Sequence, residues 1–191
     1  MTDSGLSLLE FTAPEQVTER LRQELAACWV EVTNAGGAAG FPFPPVDEGQ
    51  VTPAVDRIVG TLAPATSRLL VARAGPRGQL GQLGEIGQLV GWLNVRRDPY
   101  ELIAHWGTLH HVQTRPDLRG RGFGAALLEE VRSVARDEMG LEQLHLAARG
   151  GVGLEEFYGR LGWKEVGRWP GALRLAPGDD RDEVLMLLAP L

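Results

Sequence analysis

Arg119-Gly120-Arg121-Gly122-Phe123-Gly124 is the stretch that decides the fold. It follows an apolar run ending near Thr114 and precedes a helical pattern from Ala125 to about Met139. Glycine at every second position lets a backbone approach a ligand closely and adopt positive φ. The start of the following helix presents N–H groups without intrahelical acceptors and the positive end of the helix dipole. That arrangement binds phosphate or pyrophosphate. Arg119 and Arg121 add charge that cannot be titrated away.

Other readings of the loop fit less well. Gly120, Gly122 and Ala125 imitate the Gly-x-Gly-x-x-Ala of a dinucleotide fold, a weak match on its own. That fold needs its first glycine at a strand end and an acid closing the next strand. Here Pro116 intervenes, and the next strand ends Leu146-Ala147-Ala148-Arg149. A P-loop needs Gly-Lys-Ser/Thr, which is absent. A plain tight turn does not require two arginines and three glycines at a helix start.

Working outward, Thr108 to Thr114 reads as the strand feeding the loop, and Leu127, Leu128, Val131, Val134, Ala135 and Met139 as the buried stripe of the helix leaving it. Upstream, Leu6 to Phe11 is a first strand. Thr12-Ala13-Pro14-Glu15 reads as a capping box for a helix burying Val17, Leu21, Leu25, Cys28 and Val32. Thr52-Pro53 reads as the start of a second helix. Strands follow at Leu69 to Ala72 and Leu89 to Val95, around a Gly-Gln-Leu repeat at 78–89 expected to be an expanded hairpin loop. Downstream come a strand at Leu141 to Ala148, a short helix at Leu154 to Leu161, and strands at Trp163 to Trp169 and Glu183 to Leu188. Pro170 to Asp182 reads as a loop whose Asp179, Asp180 and Asp182 form either a solvated turn or a counter-charge for an ammonium group. The order β-α-α-β-β-β-α-β-α-β-β gives an α/β domain with a mixed, mostly antiparallel central sheet flanked by helices.

The 191 residues fit one domain, 1–191, with ordinary globular composition: 43% hydrophobic and 23% charged. The net charge of −6, with basic residues dispersed, argues against a nucleic-acid surface. A lone Cys28 rules out an internal disulfide or a cysteine metal site; it reads as a small core residue, and no metal is expected. No apolar run approaches the ~20 residues of a membrane helix, and the N-terminus lacks the basic and apolar regions of a signal peptide, so a cytoplasmic protein without membrane contact is expected.

Arg119, Gly122 and Gly124 form Arg-x-x-Gly-x-Gly, and at this point the chain resembles the GNAT family of N-acetyltransferases. Phe157-Tyr158-Gly159-Arg160-Leu161-Gly162-Trp163 is similar to that family's Phe-Tyr-x-x-x-Gly-aromatic signature. The likeness covers most of the chain. A fainter one, to the tabtoxin-resistance type of small-molecule acetyltransferase, rests on Gly40-Phe41-Pro42, Val90-Gly91 and the Tyr158-to-Trp163 segment. The resemblance implies that acetyl-CoA is the acyl donor. Its pyrophosphate would lie in Arg119, Gly120, Arg121, Gly122, Phe123, Gly124 and Ala125, its pantetheine arm beside Val112, Gln113 and Thr114 like an added strand, with Phe157 nearby. The implied reaction is direct attack of a primary amine, on a small molecule, on the thioester.

An alkyl amine near its ordinary pKa of ~10.4 is mostly protonated at pH 7, so a base is needed, and the departing thiolate needs a proton. Tyr158 is the candidate acid, the role the family commonly gives this tyrosine. The base is less determined. The family often carries Glu early in the fourth strand, where Thr108 stands here. His110, on the same face as Thr108 and Val112 by strand alternation, is the candidate catalytic base, with His105, Glu101 or a water chain as alternatives; His111 is expected on the opposite face. The acceptor pocket would be walled by the first two helices, the Phe41–Pro45 loop, Trp92, Trp106 and the Pro170–Asp182 loop. The missing Glu keeps open a different function, an acyl-CoA-binding module with a sensing role and little catalysis. A final hairpin bearing Leu185, Met186, Leu187 and Leu188 is compatible with a homodimer.

Overall fold

A computed structural model describes residues 4–37, 40, 44–76 and 87–191. Its strands and helices run in the order β1 (Ser4–Phe11), α1 (Glu19–Asn34), α2 (Glu48–Gly60), β2 (Ser67–Pro76), β3 (Gln88–Arg97), β4 (Trp106–Thr114), α3 (Phe123–Ser133), β5 (Gln143–Arg149), α4 (Leu154–Arg160), β6 (Lys164–Ala176) and β7 (Asp179–Leu188). The seven strands form one sheet in the order β1-β2-β3-β4-β5-β7-β6. Only the β4–β5 pair is parallel; the others are antiparallel. The mixed, mostly antiparallel sheet expected from the sequence is therefore present.

Both sheet faces are covered, by two separate apolar clusters. Leu127, Leu128 and Val131 of α3 are buried against Leu93, Val95, Leu109, Leu144 and Met186. On the other side Leu25, Trp29 and Val32 of α1 and Val51, Val55 and Val59 of α2 pack on Leu69, Val71 and Trp92. β2 and β3, buried on both faces, contribute alternate residues to each cluster. Cys28 is buried, as expected, and burial pushes its thiol up to about 12.

Three expectations are corrected. The Thr12–Glu15 signal produces only a short 3₁₀ turn, Pro14–Gln16, in which the Gln16 side chain accepts hydrogen bonds from the Thr12 and Ala13 amides. α1 itself starts at Glu19, with Thr18 Oγ1 accepting from the Leu21 amide at 3.2 Å. α2 starts before Pro53, because Asp47 and Gln50 cap each other reciprocally. Pro53 lies in the second turn, where its missing N–H leaves only the Gly49 carbonyl without an intrahelical donor. The third correction concerns Pro170 to Asp182. The segment is mostly strand, because Arg174–Asp180 and Arg168–Asp182 ion pairs tie β6 to β7, while Arg181–Asp179 forms within β7 beside the turn. The three aspartates are thus neutralised by arginines of their own hairpin. The repeat at 78–89 lies largely outside the described residues, as do Phe41 to Phe43.

Candidate active site

The parallel pairing of β4 and β5 is brief. Trp106, Gly107 and Thr108 pair with Gln143, Leu144 and His145, and pairing ends there. Beyond that point the strands diverge, and a cleft of about 580 Å³ opens between them. Leu109 to Thr114, apart from His110, line it from β4, and Leu146, Ala147 and Ala148 from β5. A parallel strand pair separated in this way leaves β4 backbone groups facing the gap, where an extended ligand can pair with them.

The cleft leads to the start of α3. Gly120 and Gly122 adopt φ of 77° and 84°, so the chain turns in the left-handed region that glycine tolerates. A β-carbon on either would meet nothing within 4 Å, leaving the space above the turn open. The first helical bond runs from the Ala126 amide to the Gly122 carbonyl, so the amides of Phe123, Gly124 and Ala125 have no acceptor in the helix. Arg119, Gly120, Gly122, Phe123, Gly124 and Ala125 all line the cleft. Arg121 is exposed and lies outside that lining. Amides at a helix start, an open turn and the Arg119 guanidinium form a set that suits a pyrophosphate.

α4 closes the same cleft with Phe157 and Tyr158. Tyr158 is 5% exposed, its ring held edge-on between Phe157 and Trp163. Burial pushes its phenol above its ordinary value, so it carries its proton throughout the neutral range.

The histidines are placed differently from strand alternation. On β3 and β4, Asn94 pairs with His110 and Trp92 with Gln113, so the single residue Leu93 stands opposite both His111 and Val112. This is a β-bulge. Val112 consequently packs with Leu109 in the cluster beneath α3, rather than sharing the face of Thr108 and His110. His111 turns towards α1, its ring centroid 4.5 Å from that of Trp29 and 5.8 Å from that of Trp92. His111 lines the cleft and His110 does not. His110 is half-buried, and burial, aided by Arg96, lowers its pKa. Trp92, expected as a pocket wall, is 1% exposed and belongs to the core.

Sequence reasoning missed His111 at the cleft, whereas α1 contributes to its wall as expected. Val32, Gly36 and Gly37 at the C-terminal end of that helix line the cleft. Arginines hold that end in place: Arg115 bonds to Glu31 at 2.8 Å, and Arg149 Nη1 donates to the Gly36 carbonyl at 3.2 Å. Gln113 is buried with both ends of its amide unpartnered among the described residues. Its register partner Trp92 likewise has an unpartnered indole N–H.

A family model, the acetyltransferase (GNAT) domain, matches residues 65–165, more than half of the chain. The chain belongs to the GNAT acetyltransferase family. The matched segment runs from β2 into β6 and contains both walls of the cleft, the glycine turn and α4. Solved GNAT structures share the fold over nearly their whole length. One from Streptococcus pneumoniae is 18% identical over 97% of this chain and 99% of its own, at a TM-score of 0.68. A GCN5-related N-acetyltransferase from Kribbella flavida is 19% identical over 97% and 98%, at 0.70. A candidate phosphinothricin N-acetyltransferase is 17% identical over 96% and 98%, at 0.72. No curated protein matches significantly in sequence. Among the described residues no group of histidine, cysteine and acidic side chains is arranged to hold a metal ion, and no helix is long and apolar enough to cross a membrane.

Proposed function

We propose that this GNAT protein transfers the acetyl group of acetyl-CoA to a primary amine on a small molecule, by direct attack on the thioester. The observation that carries the reading is the opening of β4 from β5 after Thr108 and His145, directly into the unpaired amides of Phe123, Gly124 and Ala125. The donor's pyrophosphate would rest on those amides with the Arg119 guanidinium. Its pantetheine arm would run beside Val112, Gln113 and Thr114, leaving the thioester near Tyr158.

The amine nitrogen attacks the carbonyl carbon, the carbon–sulfur bond breaks, and the Tyr158 hydroxyl gives its proton to the departing sulfur. An ammonium substrate must first lose a proton, and a β4 imidazole, His110 or His111, is the group proposed to take it. In the net reaction the ammonium gives up two protons: one is carried by the thiol product and one reaches solvent. Acetyl transfer to an amine from the pantetheine side therefore needs one acid and one base, and the cleft is flanked by a group of each kind.

The test is thiol release from acetyl-CoA with a panel of primary amines, alongside thermal denaturation with acetyl-CoA, NAD or ATP. A ligand at a hundred times its Kd stabilises the native state by about 2.7 kcal/mol, several degrees for a domain of this size. Acetyl-CoA alone should raise Tm, and at least one amine should release thiol. Stabilisation with no thiol release from any amine would favour the acyl-CoA-sensing alternative, to which Thr108 in place of a carboxylate lends support. Self-association, if it uses the final hairpin, falls to Leu185 and Leu187, since Met186 and Leu188 are buried in the core.

A further inference from the structure

We propose that His111, rather than its neighbour His110, is the catalytic imidazole that takes the proton of the acceptor amine. The inference rests on the transferase reading above and deepens it.

Three observations converge on this residue. First, the bulge places two β4 residues opposite Leu93, which removes His111 from the alternation and turns it to the α1 face of the sheet. Bulges beside active sites re-aim a side chain in this way. Second, His111 has φ of 56°, the positive value of a non-glycine residue that occurs once among the described residues. Such a conformation persists where the surroundings impose it, and it clusters at functional sites. Here Trp29 and Trp92 fix the ring, and Gly40 packs over it, since a β-carbon there would stand 3.4 Å from His111 Nδ1. Third, His111 lines the cleft, whereas His110 is absent from its lining.

The two faces of the sheet then divide the chemistry. Tyr158 comes from the α4 side and His111 from the α1 side, with the gap between β4 and β5 separating them. The acetyl carbon, held in that gap, would meet the attacking amine from the α1 side and release sulfur towards Tyr158. His111 takes one proton from the ammonium, freeing the nitrogen lone pair to form the new carbon–nitrogen bond, and returns that proton to solvent. Sulfur leaves with the proton of Tyr158, which regains one from the nitrogen as the amide forms.

Among the described residues, the ionisable groups near the imidazole come from α1 and β4. α1 carries Cys28, which burial keeps as the neutral thiol, and Glu31, which is bonded to Arg115. Trp29 and Trp92 do not titrate. The adjacent ionisable group on β4 is His110, whose ring centroid is 6.0 Å away. A separate His110 variant accounts for it.

The experiment compares wild type, His111→Asn, His111→Gly and His110→Gln. Asn and Gly both accept the left-handed backbone, so at least one variant should fold. The readouts are kcat as a function of pH and the acetyl-CoA-induced rise in Tm. Both His111 variants should keep the Tm rise, lose about 10²–10⁴ in kcat, and lose the limb on which activity climbs with pH through the imidazole range. The deficit should shrink with hydrazine as acceptor, which is already largely unprotonated at pH 8.5. His110→Gln should keep that limb. Unchanged kcat and pH profile in a folded His111 variant would overturn the inference, as would loss of the limb in His110→Gln alone. Wild-type turnover, measured alongside, separates the failures: with turnover only the assignment to His111 falls, and without it the transferase reading falls as well.

Discussion

Gly124 and Phe157 lie against each other: a β-carbon on Gly124 would stand 3.4 Å from Phe157 Cζ. The glycine turn and the Phe-Tyr signature, well apart in sequence, thus meet in one wall of the cleft. The same β-carbon would stand 3.3 Å from Thr114 Oγ1, at the end of β4. Gly124→Val therefore presses on Thr114 and Phe157, which must shift to admit it, and its side chain would crowd the free amide end of α3. The variant is expected to lose the acetyl-CoA-induced rise in Tm and most turnover. Retained affinity, measured by calorimetry, would contradict the placement of the pyrophosphate.

At Gly122 the constraint is in the backbone. With φ of 84° and open space above it, Gly122→Ala meets no atom but must hold a conformation that costs an L-residue about 1–2 kcal/mol. In a domain of this size that corresponds to a fall in Tm of roughly 2–8 °C. Any relaxation of the turn would move the α3 amides, so acetyl-CoA affinity should fall too. Denaturation with and without donor reads both effects; a stable variant with unchanged affinity would show that the turn tolerates an ordinary residue.

Tyr158→Phe removes the hydroxyl and keeps the ring between Phe157 and Trp163. Packing should survive, with acetyl-CoA binding unchanged. If the phenol protonates the departing thiolate, kcat should fall by about 10²–10⁴. The loss should be smaller with an acyl donor whose thiol is more acidic, because such a leaving group needs the proton less. Equal kcat for the variant and the wild type would remove Tyr158 from the mechanism.

The parts of the site that were legible in the sequence are those fixed by local chemistry. The glycines and arginines of 119–124 signal their loop through backbone freedom and charge, and Phe157 and Tyr158 sit where a helix follows β5. The order of elements along the chain was legible because apolar runs and turn residues mark each one. The bulge at His111 was not. It depends on Leu93 of another strand, and alternation, which assigned His110 and Val112 to one face, has no term for a register shift. The full length of the β6–β7 hairpin was hidden for a similar reason. Pro170, Gly171 and the aspartates look like loop residues locally, but cross-strand arginine–aspartate pairs hold them in strands. The true start of α2 was visible in Asp47 and Gln50 and was overshadowed by Pro53.

The histidines of the sheet should also make stability fall on mild acidification. Burial, with Arg96 adding repulsion, lowers the pKa of His110, and burial with His105 lowers that of His145, whose ring lies 4.2 Å from Trp106. Both folded values thus lie below the ordinary imidazole value of about 6.5. Well above that pH both residues are neutral in the folded and unfolded chains, and stability is at its full level. As pH falls through the ordinary value the unfolded chain takes up protons that the folded chain resists. Stability then declines until the folded pKa values are passed. The carboxylates held low, Asp180 by Arg174 and Asp182 by the Gly171 amide and Arg168, lose their contribution only further down, near and below about pH 4. Tm is therefore expected to drop between pH 7.5 and 5, and the double variant His110→Gln, His145→Gln should flatten that stretch of the profile while leaving the drop below pH 4 in place. A double variant with the wild-type slope between pH 7.5 and 5 would show that neither imidazole resists protonation in the folded protein.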